Sequence, residues 1–190
     1  MPAGSSALPD ALAAGAGRRL LRWAVVALLA AGLAAWVATG ANGPDDPYLA
    51  SRSRVTGFGE VAFRVRPAPG SPAVSGQYCA LLAETDAQRA RGLMGRRDLA
   101  GYDGMIFRYA EDSTGTFWMQ DVPIPLTVAW FDSSGRFISS ADMSPCPDGR
   151  CRSYAAARPY RFALEVPAGG LARLGIGPGS MIDVGGQCAG

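Results

Sequence analysis

The stretch from Leu126 to Ser140, LTVAWFDSSGRFISS, decides the fold. An apolar run from Leu126 to Phe131 reaches a Ser133-Ser134-Gly135 turn and reverses into Arg136 to Ser140, which predicts two adjacent antiparallel strands. On the N-terminal side, Glu60 to Arg66 alternates with Val61, Phe63 and Val65 on one face, as a half-buried strand does. Pro67 to Gly76 reads as a loop, Gln77 to Ala83 as a second strand, and Met105 to Phe107 and Thr116 to Met119 as further short strands. On the C-terminal side, Arg161 to Val166 and Ser180 to Val184 complete the set, and the strands together suggest an antiparallel meander.

Two short helices interrupt them. Thr85-Asp86-Ala87-Gln88 has the form of a capping box, and the helix it starts must stop at Gly92 or Gly95. Ala168 to Leu174 is a helical turn closed by Gly175. The expected fold is therefore α+β and mostly β: a small antiparallel sheet or a partly open β-barrel with two short helices.

The chain has 190 residues, with 18 Lys plus Arg, 16 Asp plus Glu, 4 Cys and no His. Every basic residue is Arg. Without imidazole or ammonium groups, Ser-His-Asp and Cys-His catalysis, Schiff-base chemistry, Walker-type phosphate loops and histidine zinc sites are excluded. Any catalysis would fall to carboxylates, Tyr, Cys or a metal.

Trp23 to Ala38, WAVVALLAAGLAAWVA, is an unbroken apolar run behind Arg18, Arg19 and Arg22 and ahead of Asp45 and Asp46. That polarity predicts an N-terminus inside and the remainder exported. Residues 1–22 read as a basic cytoplasmic segment and 23–41 as a transmembrane anchor or a signal peptide. Residues 42–59 read as a linker rich in Gly, Pro and Ser, and 60–190 as the domain. The expected location is the cell membrane, with the domain on its extracytoplasmic side, or the exterior after signal cleavage.

Export bears on the cysteines, because an oxidising compartment favours two disulfides. The Pro147-Asp148-Gly149 turn can fold Cys146 onto Cys151, leaving Cys79 for Cys188. A four-thiolate zinc site is the alternative, but the paired Cys-x-x-Cys knuckles are missing. From Asn42 onward, 15 Arg meet 15 acidic residues, so no basic surface for nucleic acid is expected. Gly175-Ile176-Gly177-Pro178-Gly179 leads into a strand rather than a helix and reads as a turn, not a phosphate loop.

Four motifs occur in order: Arg91-Gly92-Leu93-Met94; Gly104-Met105-Ile106-Phe107; Phe117-Trp118-Met119-Gln120-Asp121 with Ile124-Pro125-Leu126; and Leu164-Glu165 with Gly169. From about Glu60 to Val184 the chain resembles the family catalogued as domain of unknown function 192. The resemblance implies a small β-rich fold, commonly exported or membrane-anchored, with no established activity; no intrinsic cofactor is expected. Members often carry Asp where this chain has Thr127, and some exported members have a similar Cys-bearing loop.

Arg91, Asp121 and Glu165 are charged residues within these apolar motifs, and a buried charge must be paired. The simplest expectation is an internal ion pair of Arg91 with Glu165 or Asp121, in which case Glu165→Gln would cost more than about 2 kcal/mol. The functional alternative sets Arg91, Trp118, Asp121, Tyr154 and Glu165 around a cleft holding a sugar or carboxylated ligand. Asp121 and Glu165 could then act as a carboxylate pair, making a hydrolase acting on a glycan. Met94, Met105 and Met119 beside Trp118 suggest Cu(I) capture, against the plain reading that they fill the core. An accessory or ligand-binding role in the envelope, with a small molecule or an envelope protein as partner, ranks ahead of an enzyme.

Overall fold

A computed structural model describes residues 52–73 and 76–189. The apolar run at 23–38, and with it the expected anchor or signal, lies outside the described residues, as does most of the linker. Among the described residues no helix is long and apolar enough to cross a membrane.

Seven strands form one curled sheet, a half-barrel. They are β1 (Gly59–Arg66), β2 (Gly76–Ala83), β3 (Gly104–Ser113), β4 (Leu126–Phe131), β5 (Phe137–Met143), β6 (Tyr160–Pro167) and β7 (Met181–Val184). Helix α1 (Asp86–Arg91) lies between β2 and β3, and α2 (Gly170–Leu174) between β6 and β7. The fold is thus the mostly β, partly open barrel expected from the sequence.

The strand order, β5-β4-β6-β3-β2-β1-β7, corrects the simple meander. β6 inserts between β3 and β4, and β2 pairs with β3 in parallel, Leu81 beside Met105, through the α1 crossover. The physical reason is burial: β6 is almost continuously apolar, and such a strand is stable in the middle of a sheet covered on both faces. Thr116 to Met119 forms no strand. It contributes one bridge, Phe117 to Tyr154, and Pro123 and Pro125 follow it, where a ladder would need N–H donors.

The sheet has an apolar layer on each side. Val61, Phe63, Leu82, Ile106, Phe131, Leu164 and Val166 pack under α2. The other layer holds Leu81, Met105, Phe107, Leu126, Val128, Trp130 and Ala163, covered by the segments around α1 and residues 114–125. Packing begins before Glu60, since Val55 is buried in this second layer with Phe58 against it.

Helix α1 starts as the capping box predicts: Thr85 Oγ1 accepts from the Gln88 backbone N–H, and Gln88 Oε1 accepts from the Thr85 N–H. Gln88 also donates to the Gly57 carbonyl at 2.9 Å, which anchors the helix to the entering chain. At the far end of the sheet the β4–β5 turn closes on β7. Arg136 bridges Met181, and the Ile182 N–H donates to the Gly135 carbonyl at 2.8 Å.

Candidate functional site

Side chains alternate along β6, so with Leu164 and Val166 facing α2, Ala163 and Glu165 face the other layer. Glu165 therefore enters the core from a central strand. Its partners in register are Met105 on β3 and Val128 on β4, neither able to donate a hydrogen bond. It is 4% exposed. Among the described residues no hydrogen bond or ion pair holds its carboxyl, and burial pushes its pKa up to about 8. At neutral pH it is a carboxylic acid.

Above it lies a cavity of about 350 Å³ whose lining includes Glu165. The C-terminal end of α1 and the turn after it supply Arg89, Arg91 and Met94. Period two along β3 brings Phe107 and Tyr109 to the same face as Met105, and the 114–122 segment adds Phe117, Trp118 and Gln120. That segment is held by reciprocal backbone hydrogen bonds between Phe117 and Tyr154, both 2.8 Å. Phe107 and Phe117 meet edge to face at 5.0 Å. Trp118 is 55% exposed, the one large apolar side chain left open among the described residues.

The two arginines differ. Arg89 is paired with Asp86, donates to the Glu84 and Arg108 carbonyls, and lies 4.7 Å over the Tyr109 ring. Among the described residues Arg91 has no carboxylate partner; its guanidinium lies 5.7 Å from the Phe58 ring centroid, at the exposed end of α1. The expected ion pair of Arg91 with Glu165 or Asp121 is therefore absent. The helix end presents Arg91 outward, while the strand turns Glu165 inward.

The structure brings Arg91, Trp118 and Glu165 to one cavity and leaves Asp121 and Tyr154 out of it. Asp121 is exposed, adopts a left-handed conformation (φ 54°), and lines a second cavity of about 570 Å³ beside Cys146. Its backbone carbonyl accepts from Gly95 N–H at 2.7 Å. Tyr154 is buried, its hydroxyl accepting from the Ser144 N–H at 3.2 Å. Among the described residues Glu165 is the sole carboxylate lining the first cavity, so it lacks the partner that acid and base catalysis on a glycosidic bond requires.

The methionines do not gather at one point. Met94 lines the Glu165 cavity, Met119 the second one, and Met105 lies in the apolar layer. Thr127 is turned away from Glu165, on the opposite face of β4 from Val128. Its hydroxyl donates to Asp142, its cross-strand partner, at 2.7 Å.

Cys79 is bonded to Cys188 and Cys146 to Cys151, with Cα separations of 5.4 and 5.2 Å. Glu60 lies beside the first disulfide at ligand-like spacing, but disulfide sulfurs are not thiolates, and the Glu60 carboxylate accepts from the Tyr102 hydroxyl at 2.8 Å.

Sequence reasoning passed over Arg89, Phe107 and Tyr109. The signal for the last two was available: Phe107 and Tyr109 alternate along β3 on the face of Met105, the face that Glu165 shares.

Similar solved structures include these two. One is a protein of unknown function from Novosphingobium aromaticivorans DSM 12444, 29% identical, with a TM-score of 0.60 over 75% of this chain and 99% of that one. The other is a Sinorhizobium meliloti 1021 protein provisionally described as a transcription regulator, 26% identical, with a TM-score of 0.60 over 70% of this chain and 98% of that one. No curated protein matches the chain. The family profile of DUF192, described as an uncharacterized ACR, matches residues 73–184, which hold β2 to β7, α1, α2 and every residue that lines the Glu165 cavity, and the chain belongs to that family.

Proposed function

We propose that this protein is an exported or membrane-anchored domain of the cell envelope that binds a small organic ligand in the Glu165 cavity without turning it over. The observation that carries this reading is a carboxyl buried on the cavity wall with no partner among the described residues. Burying such a group is costly unless something supplies its hydrogen bonds, and a ligand does so without cost to the apolar layer around it. The cavity volume is in the range of small-molecule sites, and an exposed Trp at the mouth of an aromatic pocket is a common platform for a ring.

Export is supported by the basic-then-apolar leader and by disulfides, which persist in oxidising compartments. A hydrolase is disfavoured by the single carboxylate, and Cu(I) capture by the dispersed methionines.

The test is a thermal melt of the oxidised full-length chain in detergent against amino sugars, neutral glycans, small carboxylates and Ag(I). A ligand at 100 times its Kd adds about 2.7 kcal/mol, which raises the melting temperature by roughly 5 to 10 °C. A shift lost in Trp118→Ala supports the reading. A panel that leaves the melt unmoved, or a shift indifferent to Trp118, counts against it.

A further inference from the structure

We infer that the ligand of this cavity is an organic cation, a small amine whose ammonium seats against the Glu165 carboxylate between the aromatic walls. This rests on the binding reading above. The groups facing Glu165 show why the described residues supply no counter-charge. On β4 the register neighbour is Val128, and on β3 it is Met105. Tyr109 of β3 shares a hydrogen bond with Tyr160 of β6, and Tyr160 also donates to the Gly115 carbonyl at 3.0 Å. From α1, Arg89 is committed to Asp86 and two carbonyls, and Arg91 lies against Phe58. The covering segment lines the cavity with the neutral polar side chains of Thr116 and Gln120, beside Phe117, Trp118 and Val122.

Beside these two arginines the lining holds four aromatic side chains, Phe107, Tyr109, Phe117 and Trp118, one face of Tyr109 being covered by Arg89. Ring faces carry negative potential and attract cations. A buried carboxyl with no counter-charge among the described residues, set among aromatic side chains, is complementary to an ammonium and not to an anion. An anionic ligand would bring a second negative charge to the one buried carboxyl lining the cavity, and among the described residues would find its one open cation, Arg91, at the rim.

The pairing has a proton balance. The free cavity holds Glu165 as its acid, and an incoming ammonium lets the group ionise: the carboxylic acid plus R–NH₃⁺ gives a carboxylate–ammonium pair, with one H⁺ passed to solvent. Because burial raises Glu165 to about 8, close to one proton leaves per ligand bound at pH 7; at pH 9.5 a quaternary ammonium releases almost none, and a primary amine, itself partly deprotonated there, takes protons up.

The experiment is a pH-stat titration of the oxidised full-length chain in unbuffered salt, which reads released protons directly, beside calorimetry for affinity. The probes are ethanolamine, glucosamine and tetramethylammonium, with N-acetylglucosamine and acetate as neutral and anionic counterparts. The amines should bind and release close to one proton per site at pH 7. Glu165→Gln should abolish the release and weaken the amines at least tenfold, with near-UV dichroism unchanged. Trp118→Ala should weaken the amines while leaving the release per bound ligand intact. If N-acetylglucosamine or acetate binds in a Trp118-dependent way and the amines do not, the cation assignment falls and the binding reading stands. Amine binding that releases no proton and survives Glu165→Gln also overturns the assignment. If no probe binds, both readings fall.

Discussion

Met105 stands directly across from Glu165 in the antiparallel β3–β6 pair, so an acid in the centre of the sheet has a thioether where an ion-pair partner would be needed. The consequence is a pH-dependent stability of definite sign. The acid's pKa rises from an ordinary 4.5 to about 8 on folding, so between those values the folded state holds the proton that the unfolded state has released. Stability is then fully present below about pH 4.5, falls as pH rises, and reaches its floor above about pH 8, a loss on the order of a few kcal/mol. The chain has no histidine, so no imbalance from an imidazole overlaps this window. Denaturant melts from pH 5 to 9 should show the midpoint falling steadily.

The same relationship reverses the effect expected of an ion-paired glutamate. Glu165→Gln should be within about 1 kcal/mol of the parent near pH 5, where Gln mimics the neutral acid. At pH 8.5 it should be more stable than the parent, because the parent must then ionise a buried group or retain its proton against the solution. Parallel urea melts at the two pH values measure the crossover. A loss of stability at both would restore an ionic partner to Glu165.

Gly135 is where the half-barrel is pinned. Its φ is +78°, and a Cβ there would come within 1.9 Å of the Ile182 carbonyl oxygen, which is backbone and cannot rotate aside. Gly135→Ala should cost more than about 3 kcal/mol, through the combined left-handed strain and steric clash. Amide exchange should show faster opening at Ile182, whose N–H donates to the Gly135 carbonyl.

The two disulfides should differ in weight. Cys79–Cys188 spans 109 residues of separation and Cys146–Cys151 only 5. In the chain-entropy account this corresponds to about 4 to 5 kcal/mol against about 2. The paired substitutions Cys79→Ala with Cys188→Ala, and Cys146→Ala with Cys151→Ala, compared by thermal melting, should rank accordingly.

Trp118 offers the converse case, an apolar residue whose loss should leave the fold intact. At 55% exposure it contributes little to the packed layer, so Trp118→Ala should shift stability by less than about 1 kcal/mol while removing the ligand response. A large destabilisation would make it structural.

Local patterns were enough to read the strands, because each is written in a few neighbouring residues. Val61, Phe63 and Val65 alternate as β1 does, Thr85 and Gln88 form the predicted cap, and the Ser-Ser-Gly turn joins β4 to β5. Thr116 to Met119 misled for the same reason: its apolar composition suits a strand, but no neighbouring strand is available to pair with it beyond Tyr154.

The sheet order, the parallel β2–β3 pair and the surroundings of Glu165 depend on residues far apart in the chain. Alternation along Ala163-Leu164-Glu165-Val166 states that Glu165 shares a face with Ala163, and residue chemistry states that a buried acid needs a partner. Neither states which strands will flank β6, or that α1 will end with Arg91 pointing outward. Those are settled when β6 takes the centre of the sheet, since Met105 and Val128 then occupy the positions a counter-charge would need. A period of two identifies a side chain's face, while long-range register identifies its neighbours, and the charge state of a buried acid depends on the neighbours.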